Sequence, residues 1–316
     1  GTGIPADAAA ATEFTITVNR RTVMPAITAE LTAAQKLAVT HKDGPLLVLA
    51  GPGSGKTRVI THRVAALIEA GVRPWNICAI TFTNKAADEM HQRIAAMGVP
   101  TGSHVSTFHS LCVRILRVYG TESNFSIYDQ ADQRKCIKQA ITDVDLETKS
   151  FSPAKMLAAV SALKNNLVEP EAFQAEADNF FSKRLAKIYR AYQNILAEKT
   201  AFDFDDLLMR TAQLLRDQDH IRSELSDKFR YLLVDEYQDT NHAQYIIAKM
   251  LASRHSNICV AGDPDQSIYR WRGADISNIL AFEKDWPDAT VVKLEENFRS
   301  TPNILKIADN LIATNK

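Results

Sequence analysis

Residues 46–57 have the sequence LLVLAGPGSGKT, in which an apolar run of strand length leads into a glycine-rich loop. Residues 58–68 continue with apolar side chains at helical spacing. Gly53 and Gly55 allow successive backbone N–H groups to turn toward phosphate oxygens, and the helix N-terminus adds a partial positive charge. This pattern predicts a P-loop, although the loop opens with Ala50 where the strict pattern has glycine. The alternative interpretation is a glycine-rich turn before an ordinary helix.

The predicted P-loop supplies the first candidate ligands for a nucleotide. Lys56 would place a positive charge beside the terminal phosphates, and the Thr57 hydroxyl can enter the coordination shell of Mg²⁺. The backbone at Ser54, between the two glycines, would face the phosphates. Gln35 lies upstream on a short amphipathic helix, and its side-chain amide offers one donor and one acceptor, which suit the paired edge of adenine. A glutamine exposed on a helix without function is the alternative for this residue.

Composition restricts the class of protein. With 316 residues, 46% of them hydrophobic, the chain is long enough for two domains with a buried core. The 37 basic residues balance the 37 acidic ones, so any binding of nucleic acid would depend on local patches and aromatic contacts. No apolar stretch predicts a membrane span, and the start of the chain lacks the pattern of a signal peptide. The four scattered cysteines indicate buried thiols in a reducing compartment, without a disulfide.

Strands and helices alternate along most of the chain. Further buried strands are predicted near residues 77–83, 104–107, 231–236, 258–263 and 290–294. These elements predict an α/β fold, a doubly wound parallel sheet formed by residues 28–115 and 204–291. The strand signal disappears between these parts, and residues 116–203 are predicted to be an inserted all-helical subdomain. Residues 1–27 are assigned to a flexible leader or a tag.

Polar side chains follow the predicted strands, at the edge where open α/β sheets bind ligands. Asp235 at a strand end is predicted to anchor Mg²⁺, and Glu236 to position and deprotonate an attacking water. Unpaired buried carboxylates are unfavourable, so a bound cation would explain the pair, while a strand end that simply meets solvent is the alternative. Phe82 and Phe108 are expected to lie half exposed at the same edge.

Residues 262–274 combine a candidate phosphate sensor with aromatic and basic side chains. Gln266 follows a strand that should end near the γ-phosphate, where its amide could detect that group. Tyr269 and Trp271 alternate with Arg270 and Arg272, a combination suited to stacking unpaired bases without sequence preference. Packing of the two aromatic residues in a seam between domains is the alternative.

Seven segments together resemble, in order and spacing, the motifs of superfamily 1 DNA helicases of the UvrD/Rep/PcrA type. They are Gln35 and residues 50–57, 81–87, 107–110, 234–241, 262–274 and 294–301. The likeness covers about residues 28–308. It implies that the P-loop domain is the first RecA-like lobe of such an enzyme, and that residues 292–316 are the start of a truncated second lobe.

The resemblance implies a role for each matching residue. The implied nucleotide contacts are Gln35 to adenine, Arg58 and Phe298 to the two faces of the base, and Arg299 to the γ-phosphate, with Gln266 coupled to that phosphate. The residues implied along single-stranded DNA are Phe82, Asn84, His109, Phe204, Tyr269, Trp271 and Arg272.

The activity implied is that of an ATP- and Mg²⁺-dependent 3′-to-5′ translocase and helicase in DNA repair or replication. Its partners would be single-stranded DNA, single-strand/duplex junctions and unidentified repair or replication proteins, in a cytoplasmic, nucleoid-associated location. This chain alone is expected to bind both ligands weakly and to hydrolyse ATP slowly. Two other classes remain open: an ATP-gated single-strand-binding module without turnover, and a small-molecule kinase, which would need a closing lid and a substrate pocket.

Overall fold

A six-stranded parallel sheet organises the part of the chain that the computed structural model describes, residues 27–269 and 273–313. The strands are β1 Leu46–Ala50, β2 Ile77–Thr81, β3 His104–Thr107, β4 Ser126–Ile127, β5 Ala201–Phe202, β6 Tyr231–Val234, β7 Ile258–Gly262 and β8 Thr290–Leu294. The sheet order is β3-β2-β6-β7-β1-β8, while β4 and β5 pair separately. Every neighbouring pair runs parallel, which confirms the predicted fold class.

Helices cover both faces of this sheet. They are α1 Ala33–Thr40, α2 Lys56–Glu69, α3 Asn84–Ala96, α4 Phe108–Tyr119, α5 Gln130–Asp143, α6 Pro153–Asn165, α7 Pro170–Glu176, α8 Phe180–Glu198, α9 Phe204–Asp217, α10 Asp219–Lys228, α11 His242–Leu251, α12 Ser277–Leu280, α13 Phe282–Asp285 and α14 Pro302–Ala313. In β6, Leu232 and Val234 belong to one hydrophobic cluster and Leu233 to the cluster on the opposite face. Burial on both faces explains why the strands are continuous apolar runs.

A third hydrophobic cluster belongs to the helices between β4 and β5. It is built mainly by α5, α6 and α8, with Ile137, Val160 and Tyr189 among its buried members. The start predicted for the helical insertion, residue 116, falls within α4, whose Leu116 packs in the core beside the sheet. We therefore propose that the inserted subdomain extends from β4 to β5.

Two other predicted boundaries, at residues 292 and 27, can also be compared with the elements of the structure. Residue 292, the predicted start of a second lobe, lies inside β8, which pairs with β1 along residues 290–294 and completes the sheet. We propose a boundary after Leu294 instead. The leader predicted at 1–27 lies outside the described residues except for Ile27, which is buried in the core.

All four cysteines are buried and free of disulfides, and all four lie in the part of the chain that the structure describes. Within residues 27–269 and 273–313, no helix combines the length and apolar character needed to cross a membrane.

A buried ion cluster fastens the helical insertion to the sheet domain. Lys164 at the end of α6 is 0% exposed, and its Nζ lies 2.7 Å from Asp203 Oδ2 and 2.9 Å from Asp206 Oδ1. Tyr192 of α8 donates a hydrogen bond of 2.8 Å to the same Asp203 oxygen. Burial alone would lower the pKa of Lys164, but the two carboxylates raise it above its ordinary value. The lysine is therefore charged, and it holds the first turn of α9.

Replacing this lysine should destabilise the protein strongly. Lys164→Met leaves two buried carboxylates without their cation, so the free energy of unfolding should fall by about 3–5 kcal/mol. Urea denaturation followed by circular dichroism measures this change. Lys155→Met, an exposed lysine on the same helix, is the matched control and should change the free energy of unfolding by less than about 0.5 kcal/mol. Equal effects of the two substitutions would contradict the assignment of this cluster.

Candidate functional site

The loop between β1 and α2 has the backbone geometry that phosphate binding needs. Gly53 and Gly55 adopt positive φ angles of 69° and 91°. A Cβ at Gly55 would lie 2.9 Å from Gln35 Nε2, and a Cβ at Gly53 would lie 2.6 Å from Arg299 Cβ. Glycine is thus required at both positions for conformation and for space. No side chain caps the N-terminus of α2, so its first N–H groups point toward the position of a ligand.

The structure brings the predicted catalytic and metal-binding residues together at the carboxyl ends of β1 and β6. Lys56 is buried, with Nζ 3.3 Å from the Ala50 carbonyl oxygen and 3.9 Å from Glu236 Oε2. Thr57 Oγ1 donates a hydrogen bond of 2.8 Å to Asp235 Oδ2. The contact between Thr57 and Asp235 joins residues that are 178 positions apart in the sequence.

The charges at the carboxyl ends of β1 and β6 favour the binding of a cation. Burial and the neighbouring Glu236 raise the pKa of Asp235 to about 6, against the opposing effects of Thr57 and Lys56. Glu236 itself has a positive φ of 54°, an uncommon conformation for a residue with a side chain. A threonine hydroxyl next to a carboxylate is an all-oxygen donor set of the kind that suits Mg²⁺, which commonly takes its other ligands from phosphates and water. The residues present therefore fit this ion.

Gln238 is a residue of the site to which sequence reasoning assigned no role. Its amide donates to Glu236 Oε2 at 2.9 Å and to Asp239 Oδ2 at 3.3 Å, and its carbonyl accepts from the Asp263 N–H at 3.0 Å. Gln266 in turn donates to the Asp263 carboxylate. The predicted base and the predicted sensor are therefore joined through two intermediate residues. Nothing in the local sequence signals this role, because it depends on β6 and β7 being neighbours.

The three residues predicted to contact adenine lie around the P-loop. Gln35 is buried; its amide donates to the Ser54 carbonyl at 2.9 Å, and its own carbonyl accepts from the Thr32 N–H at 3.1 Å. Arg58 forms an ion pair of 3.0 Å with Glu30, and Phe298 is 64% exposed. Their contact with a base remains a prediction.

Asn297 fixes the segment that carries Phe298 and Arg299. Its amide donates to the Pro52 carbonyl, and its carbonyl accepts from the N–H groups of Arg299 at 2.8 Å and Ser300 at 2.7 Å. The Phe298 N–H donates to the Gly53 carbonyl at 3.0 Å. These contacts hold the backbone of both predicted nucleotide-contacting residues against the P-loop.

Arg63 is a second residue that the sequence reasoning missed. Although it lies on α2, it is almost fully buried, and its guanidinium donates to the carbonyls of Ala38, His41 and Lys42. It thereby caps the end of α1, the helix that carries Gln35. The sequence alone does not indicate that this arginine caps α1, because the packing of α1 against α2 is known only from the structure.

A pocket of about 370 Å³ opens near the ends of β2 and β3 and brings four predicted DNA-contacting residues together. They are Phe82, Asn84, His109 and Phe204. Phe82 stacks on Tyr269 with ring centroids 4.7 Å apart, and His109 meets Phe204 edge-on at 5.9 Å. Burial lowers the pKa of His109 below its ordinary value, so its ring is neutral at pH 7.

The structure contradicts one expectation about this surface, the exposure of Phe108, and does not describe two of the predicted DNA-contacting residues. Phe108 was expected to be half exposed, and this expectation is wrong: the residue begins α4 and turns inward, where it is 5% exposed within the core. Its neighbour His109 faces the pocket instead. Trp271 and Arg272 lie outside the described residues, so their contact with DNA remains a prediction.

The fold and site define a RecA-like P-loop NTPase, in which an acid pair at the end of β6, two strands away from β1 in the sheet, faces the P-loop lysine and threonine. The family model of the UvrD/REP helicase N-terminal domain matches residues 31–287, and the chain belongs to this family. It is 50% identical to the ATP-dependent DNA helicase PcrA of Bacillus subtilis over 292 residues, which cover 90% of this chain and 40% of the relative.

Further relatives agree with this assignment. The PcrA helicases of Staphylococcus epidermidis and Staphylococcus aureus are each 48% identical over 299 residues, covering 92% of this chain and 41% of theirs. The chain thus spans about 40% of the length of the curated relatives that it matches.

Removing the buried charge of Asp235 should stabilise the nucleotide-free protein near neutral pH. The folded-state pKa is about 6 against an ordinary 3.8, so the native protein holds this proton more tightly than the unfolded chain does. That contribution to stability is present below about pH 4 and is lost as the pH rises through about 6. Asp235→Asn should therefore raise the free energy of unfolding by about 3 kcal/mol at about pH 7.5 and by almost nothing below about pH 4.

Urea denaturation at several pH values tests this expectation without added nucleotide or Mg²⁺. Asp88→Asn, which changes an exposed carboxylate on α3, is the control and should alter the free energy of unfolding by less than about 0.5 kcal/mol at every pH. A loss of stability on Asp235→Asn near neutral pH would contradict the proposed burial of charge.

Proposed function

We propose that this chain is the nucleotide- and single-strand-binding part of an ATP-dependent 3′-to-5′ DNA helicase or translocase. One observation carries the proposal: the P-loop and its acid pair lie on the same edge of one sheet as the aromatic pocket around Phe82 and Phe204. The same edge of one sheet would therefore offer both a nucleotide site and a surface for unpaired bases. The relatives named above, which are ATP-dependent DNA helicases, support the same conclusion.

The nucleotide chemistry follows from the contacts at the strand ends. The P-loop amides and Lys56 bind the terminal phosphates, while Thr57 and Asp235 would hold Mg²⁺. When bound, this ion neutralises charge on the β- and γ-phosphate oxygens. Glu236 orients the attacking water and accepts its proton. Gln238 holds the Glu236 carboxylate in place, and Arg299 and Gln266 act at the γ-phosphate.

The pocket supplies the chemistry for single-stranded DNA. Phe82, Tyr269 and Phe204 offer aromatic faces, and stacking of a base on such a face contributes roughly 1–3 kcal/mol without sequence preference. Asn84 lies in the first turn of α3 and His109 in that of α4, beside the same pocket. A neutral His109 can donate or accept a hydrogen bond there but adds no charge. Single strands and single-strand/duplex junctions are the substrates proposed.

The activity proposed for the full-length protein requires parts beyond the residues described above. Unwinding would require a second lobe, and we propose that it begins after Leu294. Repair or replication proteins are the proposed partners. The proposed location is cytoplasmic and nucleoid-associated. The second candidate function is an ATP-gated single-strand-binding module without productive turnover.

ATP hydrolysis with and without an unstructured single-stranded oligonucleotide tests the proposal. We expect slow turnover by the wild type that the oligonucleotide increases. Lys56→Ala should abolish nucleotide binding, whereas Glu236→Gln should keep binding and lower turnover at least ~100-fold, because it removes the base. Lys138→Ala, at an exposed position on α5, is the control and should behave as the wild type. Nucleotide and DNA binding without turnover would select the second candidate, and absence of DNA binding would exclude both.

The aromatic pocket can be tested separately by fluorescence anisotropy with a labelled oligothymidylate. Phe204→Ala should raise the dissociation constant by roughly 5- to 150-fold, the equivalent of about 1–3 kcal/mol for one lost stacking contact. Phe204 is 45% exposed, so the substitution should leave the fold intact. Phe180→Ala removes a 70% exposed ring on α8 and should leave the affinity unchanged. Equal affinity of the Phe204→Ala variant and the wild type would remove the pocket from the binding surface.

A further inference from the structure

Asn165, the last residue of α6, joins three separate parts of the molecule through one buried side chain. Its amide donates to the Ser161 carbonyl at 2.9 Å within α6 and to Asp205 Oδ1 at 3.1 Å on α9. Its side-chain carbonyl accepts from Asn241 Nδ2. Asn165 is 7% exposed and is not among the residues that line the aromatic pocket. Its side chain is therefore held both by its own helix and by two neighbouring elements.

The contact with Asn241 leads to the nucleotide site. Residues 236–241 form one turn after β6, in which Gln238 donates to the Glu236 carboxylate and Asn241 caps α11 by accepting from the Gln244 N–H at 2.9 Å. The backbone between them is constrained, because the Thr240 carbonyl accepts from both the Asp275 N–H and Asn278 Nδ2, at 3.0 Å and 2.9 Å. Glu236 and Asn241 thus lie at the two ends of one short, hydrogen-bonded turn.

The contact with Asp205 leads to the aromatic pocket. Asp205 follows Phe204 in the first turn of α9, and this turn is held on its other side by the ion pairs of Lys164 with Asp203 and Asp206. The Phe204 ring faces the pocket from the same turn. The position of the ring thus depends on the end of α6, to which Asn165 belongs.

We infer that Asn165 is a positioning residue that couples the nucleotide site to the single-strand-binding pocket through its hydrogen bonds to Asn241 and Asp205. The inference rests on the function proposed above. Energetic coupling between two sites requires an element whose arrangement both sites influence, and the turn at 236–241 together with the first turn of α9 supplies it. Buried amides transmit a displacement because leaving either partner unsatisfied is unfavourable.

The test measures how nucleotide changes the affinity for DNA. The dissociation constant of a labelled oligothymidylate is measured without nucleotide and with saturating Mg²⁺ and a non-hydrolysable ATP analogue, and the ratio of the two constants defines the coupling. We expect a ratio of roughly fivefold or more for the wild type. In Asn165→Ala the ratio should fall to within about twofold of unity, whereas the affinity for nucleotide alone should change by less than about twofold.

Two further variants separate coupling from a general loss of structure. Asn241→Ser keeps a side chain that can cap α11 but cannot reach Asn165, so it should lose the coupling in the same way. The double variant should show no larger loss than either single one, because both remove the same hydrogen bond. Asn166→Ala is the matched control, since that neighbouring side chain is exposed and, among the residues that the structure describes, donates to the Ala162 carbonyl of its own helix alone.

The possible outcomes are distinct. Preserved coupling in Asn165→Ala or in Asn241→Ser overturns the inference, as does a wild-type ratio of unity when both ligands bind. Additive losses in the double variant also overturn it, because they would show that the two side chains act independently. If the wild type binds nucleotide but no DNA, the proposed function itself fails, and a shift in thermal unfolding monitored alongside identifies any variant that has lost its fold.

Discussion

The parallel pairing of β1, β7 and β6 is the constraint on which the other features of the site depend. It pairs Leu49 with Gly262 and Val234 with Val260, so the loops after the three strands all leave at the carboxyl end of the sheet. The P-loop, the acid pair and the segment with Gln266 therefore converge, although they are far apart in the chain. Parallel strands bind ligands at their carboxyl ends because the loops and helix N-termini gather there.

This convergence brings buried charges together. They are neutralised at one place in the protein and only partly compensated at another. At the junction with the helical insertion, Lys164 neutralises Asp203 and Asp206 within the fold, so that cluster holds the insertion in place. At the proposed nucleotide site, the charge of Asp235 is only partly compensated, and its pKa is raised to about 6. A site that is electrostatically incomplete without its ligand binds a cation more strongly, because the cation relieves an existing penalty.

Short polar segments connect these two regions. The turn after β6 holds Glu236 through Gln238 at one end and reaches Asn165 through Asn241 at the other. Since Asn165 and Lys164 both fix the first turn of α9, the ring of Phe204 is placed by the same contacts that attach the insertion to the sheet. The helical insertion thus helps to form the proposed single-strand site.

The sequence by itself determined the local features: the strand, the glycine-rich loop, the identity of Lys56 and Thr57, and the acid pair, since these follow from residue types at fixed short spacings. It also indicated Phe82, His109 and Phe204, through the resemblance to a known family. The contacts of Gln238, Arg63 and Asn165 were decided only by the tertiary structure, as was the burial of Phe108. The physical reason is that each depends on hydrogen bonds or packing between elements distant in the chain, which no local pattern encodes.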